Sequence, residues 1–397
     1  MELSLSQDCC RTMNLFENHY YRINTFYQKC TGIWPYQRTE KKRLIKLMSF
    51  TLFMCNLIPM FLHVYTVWGD LDETLESLPT LCIILAAIFK SSICIYKESE
   101  LKELLECIKN DWKVWSSGKE FEILQTYAES GRSLSLLYTG DVYVPLSTII
   151  SMSLSPIILD IIMPLEEPRP KLMIYPVEFF IIDQDKYFIY ILALTMITAV
   201  ITMTYTLACE SMYAVNTQHA CGLFAIVSYR YQHSVEEAEI LMKDTEEKWD
   251  DVLYEYMKFS IKRHIHAIKF CNTLESCYSP LLFSGMAFNM LQTSITLLQT
   301  LLSLGNFEKT IKYAAFNLGV IAHMFLISLP AQRLMDHSSS LGQDLYIGKW
   351  YVMPLKVKKL CKMIIMQARM PCTLTAFRFY SVNYRTFFSV RTTQTFI

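Results

Sequence analysis

Tyr187-FIYILALTMITAVITMTYTLA-Cys209 is a run of 23 residues without a single Asp, Glu, Lys or Arg. As a helix it is long enough to cross the roughly 30 Å hydrocarbon core of a bilayer. Three further runs share the property: Leu47 to Gly69, Ser276 to Phe307 and Tyr313 to Gln332. Helices buried in soluble proteins normally keep a polar stripe, so four unbroken runs read as membrane spans. Two shorter ones join them. Ser77 to Phe89 reaches spanning length by continuing past Lys90 to Tyr96, which puts that lysine near the cytoplasmic end; Val142 to Leu159 is bounded by Asp141 and Asp160. A seventh candidate, Leu374 to Ile397, carries Arg378, Arg385 and Arg391 among aromatics. Charges inside a span face protein or water, so this segment belongs inside an assembly or along a pore.

The expectation is an all-α, seven-transmembrane protein forming one domain over 1–397. Its spans are placed at approximately 44–66, 78–96, 136–159, 187–213, 267–303, 313–333 and 374–397. Composition agrees: of 397 residues 52% are hydrophobic and only 19% charged, below the ~25% usual for soluble domains. Lys plus Arg and Asp plus Glu both total 37, so the basic excess of a nucleic-acid binder is missing.

Loop charges set the expected orientation. Arg38, Lys41, Lys42, Arg43 and Lys46 precede the first span; Asp70, Asp72, Glu73 and Glu76, with no basic residue among them, separate the first two. Basic residues gather again after spans two, four and six. Residues 1–43 lack the compact apolar core of a cleaved signal peptide. The N-terminus is therefore expected inside and the C-terminus outside, the reverse of a G-protein-coupled receptor. Two cytosolic stretches, 214–266 and 338–370, read as helical anchor segments. In the first, Ser234-Val-Glu-Glu237 has the pattern of a capping box, and Trp249, Val252, Leu253, Tyr256 and Phe259 follow at helical spacing into span five. Leu101, Leu104, Leu105 and Ile108 predict another amphipathic helix.

Catalytic patterns are missing. The thirteen cysteines contain no C-x-x-C, and no phosphate-binding loop, dinucleotide fingerprint or nucleophile elbow occurs. His264 and His266 lie on different helix faces, while His63, His219 and His323 are isolated, which favours structural roles. No enzyme activity, metal or cofactor is expected.

One ordered series gives a more specific reading. Ala331-Gln332, Ser338, Tyr346, Trp350-Tyr351, Gln367-Ala-Arg-Met-Pro371 and Leu374-Thr-Ala-Phe-Arg-Phe-Tyr380 precede Phe388-Ser-Val390. From Leu326 onward the chain resembles insect odorant receptors, and the rest agrees in span number, orientation and length. Ala331 and Phe377 depart from typical glycines, Arg385 from a usual Glu, and the family's last helix commonly continues a few residues beyond the position of Ile397. The resemblance implies an odorant-gated, nonselective cation channel subunit in the plasma membrane of a sensory-neuron dendrite. It would form a heterotetramer with a shared olfactory co-receptor. The co-receptor has a longer insertion between spans four and five, so this chain would be an odorant-tuning subunit.

On that basis a small volatile would bind among Ile84, Ala87, Ile88, Ser147, Ile150, Ser151, Tyr187, Tyr190, Ile191, Leu194, Tyr313, Phe316 and Asn317. Phe388, Thr392, Gln394, Thr395 and Ile397 would line the cation pore, with apolar members gating by dewetting. Ser338, Tyr346, Trp350, Tyr351 and Pro371 would anchor the subunits. For each of these residues the alternative is plain helix packing. Alternative functions are a gustatory-receptor-type channel and a receptor or transporter working through a soluble partner; the Gln332 to Tyr380 series favours the odorant branch.

Overall fold

The computed structural model describes residues 15–165, 169–180, 183–243 and 248–386. A 3-10 turn at Leu15–Glu17 leads into helices α1 (Arg22–Thr31), α2 (Thr39–Thr66), α3 (Leu71–Tyr96), α4 (Glu98–Val114) and α5 (Gly118–Ile162). Then come α6 (Phe188–Gln232), α7 (Ser234–Met242), α8 (Trp249–Leu302), α9 (Phe307–Ile347) and α10 (Leu355–Ala368). A short hairpin, β1 (Thr375–Ala376) paired antiparallel with β2 (Tyr380–Ser381), follows. Among the described residues α2, α3, α5, α6, α8 and α9 are long and apolar enough to cross a membrane. They cover the first six expected spans but for Tyr187 and Ser303 at the edges. The 54 residues of α8 amount to roughly 80 Å of helix, far more than a bilayer core takes up. Charge-free runs marked only the lipid-length part of such helices.

The bundle is built around α6. From Tyr205 to Phe224 every residue is buried, and α1, α2, α3, α5, α8 and α9 all pack on it. Small residues let the neighbours come close, as in tightly packed helix pairs; a Cβ at Gly222 would lie 3.1 Å from the Tyr127 Cβ. From α1, Thr31 accepts a hydrogen bond from the Tyr205 hydroxyl at 2.8 Å through its carbonyl. Leu101, Leu104, Leu105 and Ile108 are all buried in α4, as their spacing predicts. At the end of that face Asp111 accepts from His219 of α6 (3.0 Å) and His266 of α8 (2.8 Å). Burial alone would raise the Asp111 carboxyl, but hydrogen bonds and charge from the two imidazoles outweigh it and hold it below the usual carboxylate range.

The α7 entrance departs from expectation. Its N-cap is His233, and the Ser234 hydroxyl turns back to donate to the Tyr231 carbonyl (3.1 Å). Glu237 accepts from the Tyr229 hydroxyl (3.0 Å), so the capping box does not form. Helix α6 ends one residue earlier and its last turn supplies both partners. Trp249 does run unbroken into span five, as α8. Arg230 fastens the α6 end to it, donating to Ser260 (3.0 Å) and stacking 4.0 Å from the Tyr256 ring, while its other arm reaches Glu120 (2.7 Å).

The start of the seventh segment also differs. Instead of continuing as helix, 374–381 forms the hairpin, and its turn holds Phe377 (φ +50°) and Arg378 (φ +62°) in the left-handed region. That backbone costs a non-glycine residue roughly 1–2 kcal/mol, which accounts for glycine being usual where Phe377 stands. Phe377 is held by other means: its N–H donates to Ser279 (2.8 Å) and its ring packs edge-on against Phe283. Glu275 accepts from the N–H (2.8 Å) and hydroxyl of Thr375. Arg378 thus sits on an exposed turn, outside any helix, and Arg391 lies outside the described residues.

Two expectations follow. A Cβ at Gly348 would overlap the Tyr231 carbonyl oxygen, so Gly348→Ala should lower stability by about 1–3 kcal/mol, read as a reduced Tm of detergent-purified protein. Gly140→Ala, with open space around it, should instead be neutral or slightly stabilising. Because the Asp111 carboxyl is depressed, its contribution is full above the ordinary value of about 3.9 and fades as pH falls through the lower folded value. Asp111→Asn should therefore lower Tm most at neutral pH, with the gap to wild type closing in acid; a gap that ignores pH would mean packing, not charge.

Candidate ligand cavity

Helices α3, α5, α6, α8 and α9 line a partly open cavity of about 280 Å³, at the small end of ligand sites. Ile83, Ala86, Val142, Pro145, Leu146, Ile149, Met203, Phe288, Phe316 and Val320 form its apolar wall. Gly319, also on the lining, has nothing within 4 Å of where a Cβ would stand, and so leaves room.

The polar end is a knot of charges from four helices. Lys90 of α3 meets Glu210 of α6 at 2.5 Å. His323 of α9 contacts Asp141 of α5 through Nδ1 (2.7 Å) and Glu210 through Nε2 (3.3 Å). An ionised carboxylate only accepts, so this geometry asks both ring nitrogens to donate; two cations then balance two anions. A lone charge amid a span costs several kcal/mol, and mutual pairing is how these side chains are accommodated. Lys90, expected near a cytoplasmic boundary, has turned inward. Glu210 ends the charge-free run from Tyr187, while the helix continues past it; that mismatch was the available signal. Among the described residues no group of three or more His, Cys, Asp or Glu is placed to hold a metal.

Two amides on α8 complete the polar end. Asn289 Nδ2 is buried without an acceptor, and Gln292, 5% exposed, makes no side-chain hydrogen bond among the described residues. Leaving the buried Asn289 donor unpaired costs about 1–3 kcal/mol.

Of the ligand residues expected from sequence, Phe316 borders the cavity. Ile84 and Ile191 instead pack with Met60, Leu81, Tyr175 and Val177, where the connection between α5 and α6 folds back and Glu178 N–H donates to the Pro59 carbonyl (3.1 Å). Ala87 is buried and Ile88 partly so, both off the cavity lining. The wall on α3 is Cys82, Ile83, Ala86 and Lys90, displaced by one residue, or about 100° of helix. Ser147 and Ser151 are exposed and bond back to their own helix at 2.8 Å; Ile150 is half-buried beside them. Tyr187 and Tyr190 are exposed and Leu194 half-buried, more than two turns above Met203 and Thr206, where α6 meets the cavity. Tyr313 is half-buried, and Asn317 is buried with Oδ1 unpaired. The contribution of α8 through Phe288, Asn289 and Gln292 was not foreseen.

Ser338, an expected anchor, is buried; its hydroxyl accepts from the Cys372 N–H (2.9 Å). Gln332 Oε1 accepts from the Tyr384 N–H (3.0 Å). The spaced Gln and Ser of the C-terminal series therefore hold the strap that leads into the last segment. Tyr346, Trp350, Tyr351 and Pro371 are exposed together near the end of α9 and beyond. Phe388, Thr392, Gln394, Thr395 and Ile397 lie outside the described residues.

A family model described as 7tm Odorant receptor matches residues 70–393. The chain belongs to that family. In sequence the receptor is 24% identical over 129 residues to a Drosophila melanogaster protein named "Putative odorant receptor 85d", a match covering 32% of this chain and 31% of that protein. The matched region thus spans about a third of the curated relative. In fold it is similar to the insect olfactory receptor OR5 from Machilis hrabei. The complex of that receptor with eugenol superposes with a TM-score of 0.74 at 12% identity, covering 95% of each chain; the structure without eugenol gives 0.69 over 94% and 95%. The architecture is that of an insect olfactory receptor, and the chain is a multi-pass membrane protein.

The charge knot can be tested by itself. Glu210→Gln leaves Lys90 and His323 facing a neutral amide and should cost about 3–5 kcal/mol, whereas replacing Lys90 and Glu210 together by Met should recover most of the loss. Thermal unfolding of purified receptor measures both; a double variant no better than the single one would mean that the pair is not coupled.

Proposed function

We propose that this receptor is an odorant-gated, nonselective cation channel subunit that assembles with a shared olfactory co-receptor in the plasma membrane of a sensory-neuron dendrite. The observation that carries the reading is the apolar cavity lined by five helices in a member of this family. Dispersion and desolvation in such a space suit a small volatile, and the Machilis hrabei receptor was solved with one such molecule, eugenol. We assign the contacts to Ile83, Ala86, Leu146, Phe288, Phe316 and Val320.

The orientation we adopt has the N-terminus inside, following the basic residues before α2 and the acidic α2–α3 turn. The exposed aromatics Tyr346, Trp350 and Tyr351 are then the subunit contact surface, in line with the enrichment of Tyr and Trp at interfaces. The last segment, delivered by the hairpin strap, lines the pore. Binding would act on that segment through α9, which touches both the cavity and, through Gln332, the strap.

The test is current recording from cells expressing the receptor with and without the co-receptor. Volatile-evoked cation current is expected only with both. Ala86→Phe, which fills the cavity, should raise the half-maximal concentration by about tenfold or more while surface expression stays level. Silence toward a broad panel of volatiles, with the complex shown at the surface, refutes the reading.

A further inference from the structure

Neither amide of the cavity makes a side-chain hydrogen bond among the described residues. Asn289 and Gln292 stand three residues apart on α8, hence on one helix face, and both border the cavity. Gln292 is 5% exposed without a side-chain partner among the described residues, and the orphan of Asn289 is a donor, Nδ2. The charges beside them are already engaged: Lys90 by Glu210, and Asp141 by His323. An incoming molecule therefore meets the Gln292 amide rather than a free charge, and Asn289 Nδ2 is a buried donor one helical turn away from it.

We propose that the cavity selects uncharged volatiles that carry a carbonyl oxygen: ketones, aldehydes and esters. Their carbonyl accepts from the Gln292 amide and, after a rotation of the Asn289 side chain that turns its buried Nδ2 into the cavity, from Asn289, while the hydrocarbon tail lies against Ile83, Leu146, Phe288 and Phe316. A hydrocarbon of the same shape fills the wall but leaves both amides unpaired, and a polar site discriminates most strongly against the analogue lacking its partner. An ammonium or carboxylate finds no unpaired counter-charge. The inference rests on the ligand-cavity reading above.

The probes are 2-octanone and 2-methyl-1-octene, the same skeleton with the carbonyl oxygen replaced by a methylene. Binding is measured on the purified full-length receptor in lipid nanodiscs, together with the infrared carbonyl stretch of isotope-labelled ketone. The ketone should bind about tenfold more tightly, as two neutral hydrogen bonds worth a few-fold each would give. Its carbonyl stretch should move to lower frequency on binding. Asn289→Leu and Gln292→Leu should each shrink both effects. Equal binding of the two probes, a bound ketone with the stretch it has in an apolar solvent, or no saturable ketone binding overturns the proposal. The measurement on unaltered receptor stands even if a variant fails to fold. Channel recording separates the two readings: ketone binding as expected without any evoked current defeats the gated-channel reading and leaves the amide site, whereas currents evoked equally by both probes do the reverse.

Discussion

A helix enclosed on every side has nowhere to send a polar side chain except to a neighbour, and α6 is such a helix for the 20 residues from Tyr205 to Phe224. Each polar group there has to be matched or it costs stability. Glu210 draws Lys90 of α3 and His323 of α9; Asn216 donates to the Tyr278 hydroxyl of α8 at 2.8 Å; His219 takes Asp111 of α4. These contacts are directional and the apolar packing around them is not. They therefore fix the rotation and depth of the surrounding helices, and with them the shape of the cavity.

The cavity follows from that arrangement. It opens where the knot of Lys90, Glu210, His323 and Asp141 ends and the apolar faces begin, so its floor is polar and electrically balanced while its walls are hydrocarbon. Four helices meet at the knot, so a movement of one changes the pairing of the others. The C-terminal strap applies the same principle at the other functional end. Ser338 and Gln332 of α9 and Glu275 and Ser279 of α8 supply hydrogen bonds to Cys372, Tyr384, Thr375 and Phe377. These contacts tie the entrance of the last segment to the helices that border the cavity.

Much of this was legible from the chain because it rests on one-dimensional physics. Charge-free length marked four of the six long apolar helices outright and the other two by shorter runs, since transfer from water to lipid depends on the side chain and hardly on its neighbours. Leucine spacing located α4, and the ordered Gln332 to Tyr380 series pointed to the family; of that series Gln332 and Ser338 accept hydrogen bonds from the strap backbone. The capping box at Ser234 failed for a non-local reason: the last turn of α6 provided partners that the tetrapeptide by itself does not reveal.

Helical phase, inward pairing and the hairpin were decided only in three dimensions. On α3 the sequence allowed Ile84, Ala87 and Ile88 or Cys82, Ile83 and Ala86 to face a ligand, as both sets are apolar and one residue of rotation separates them. The Lys90–Glu210 contact chose the second set. Residues 374–381 contain nothing that forbids a helix, yet Glu275 and Ser279 of α8 hold them as a turn with Phe377 and Arg378 in the left-handed region. Sequence by itself marked six segments that form helices long and apolar enough to cross a membrane, because hydropathy adds up residue by residue. Tertiary structure decided which faces surround the cavity, because a buried charge or amide is satisfied only by a group far away along the chain.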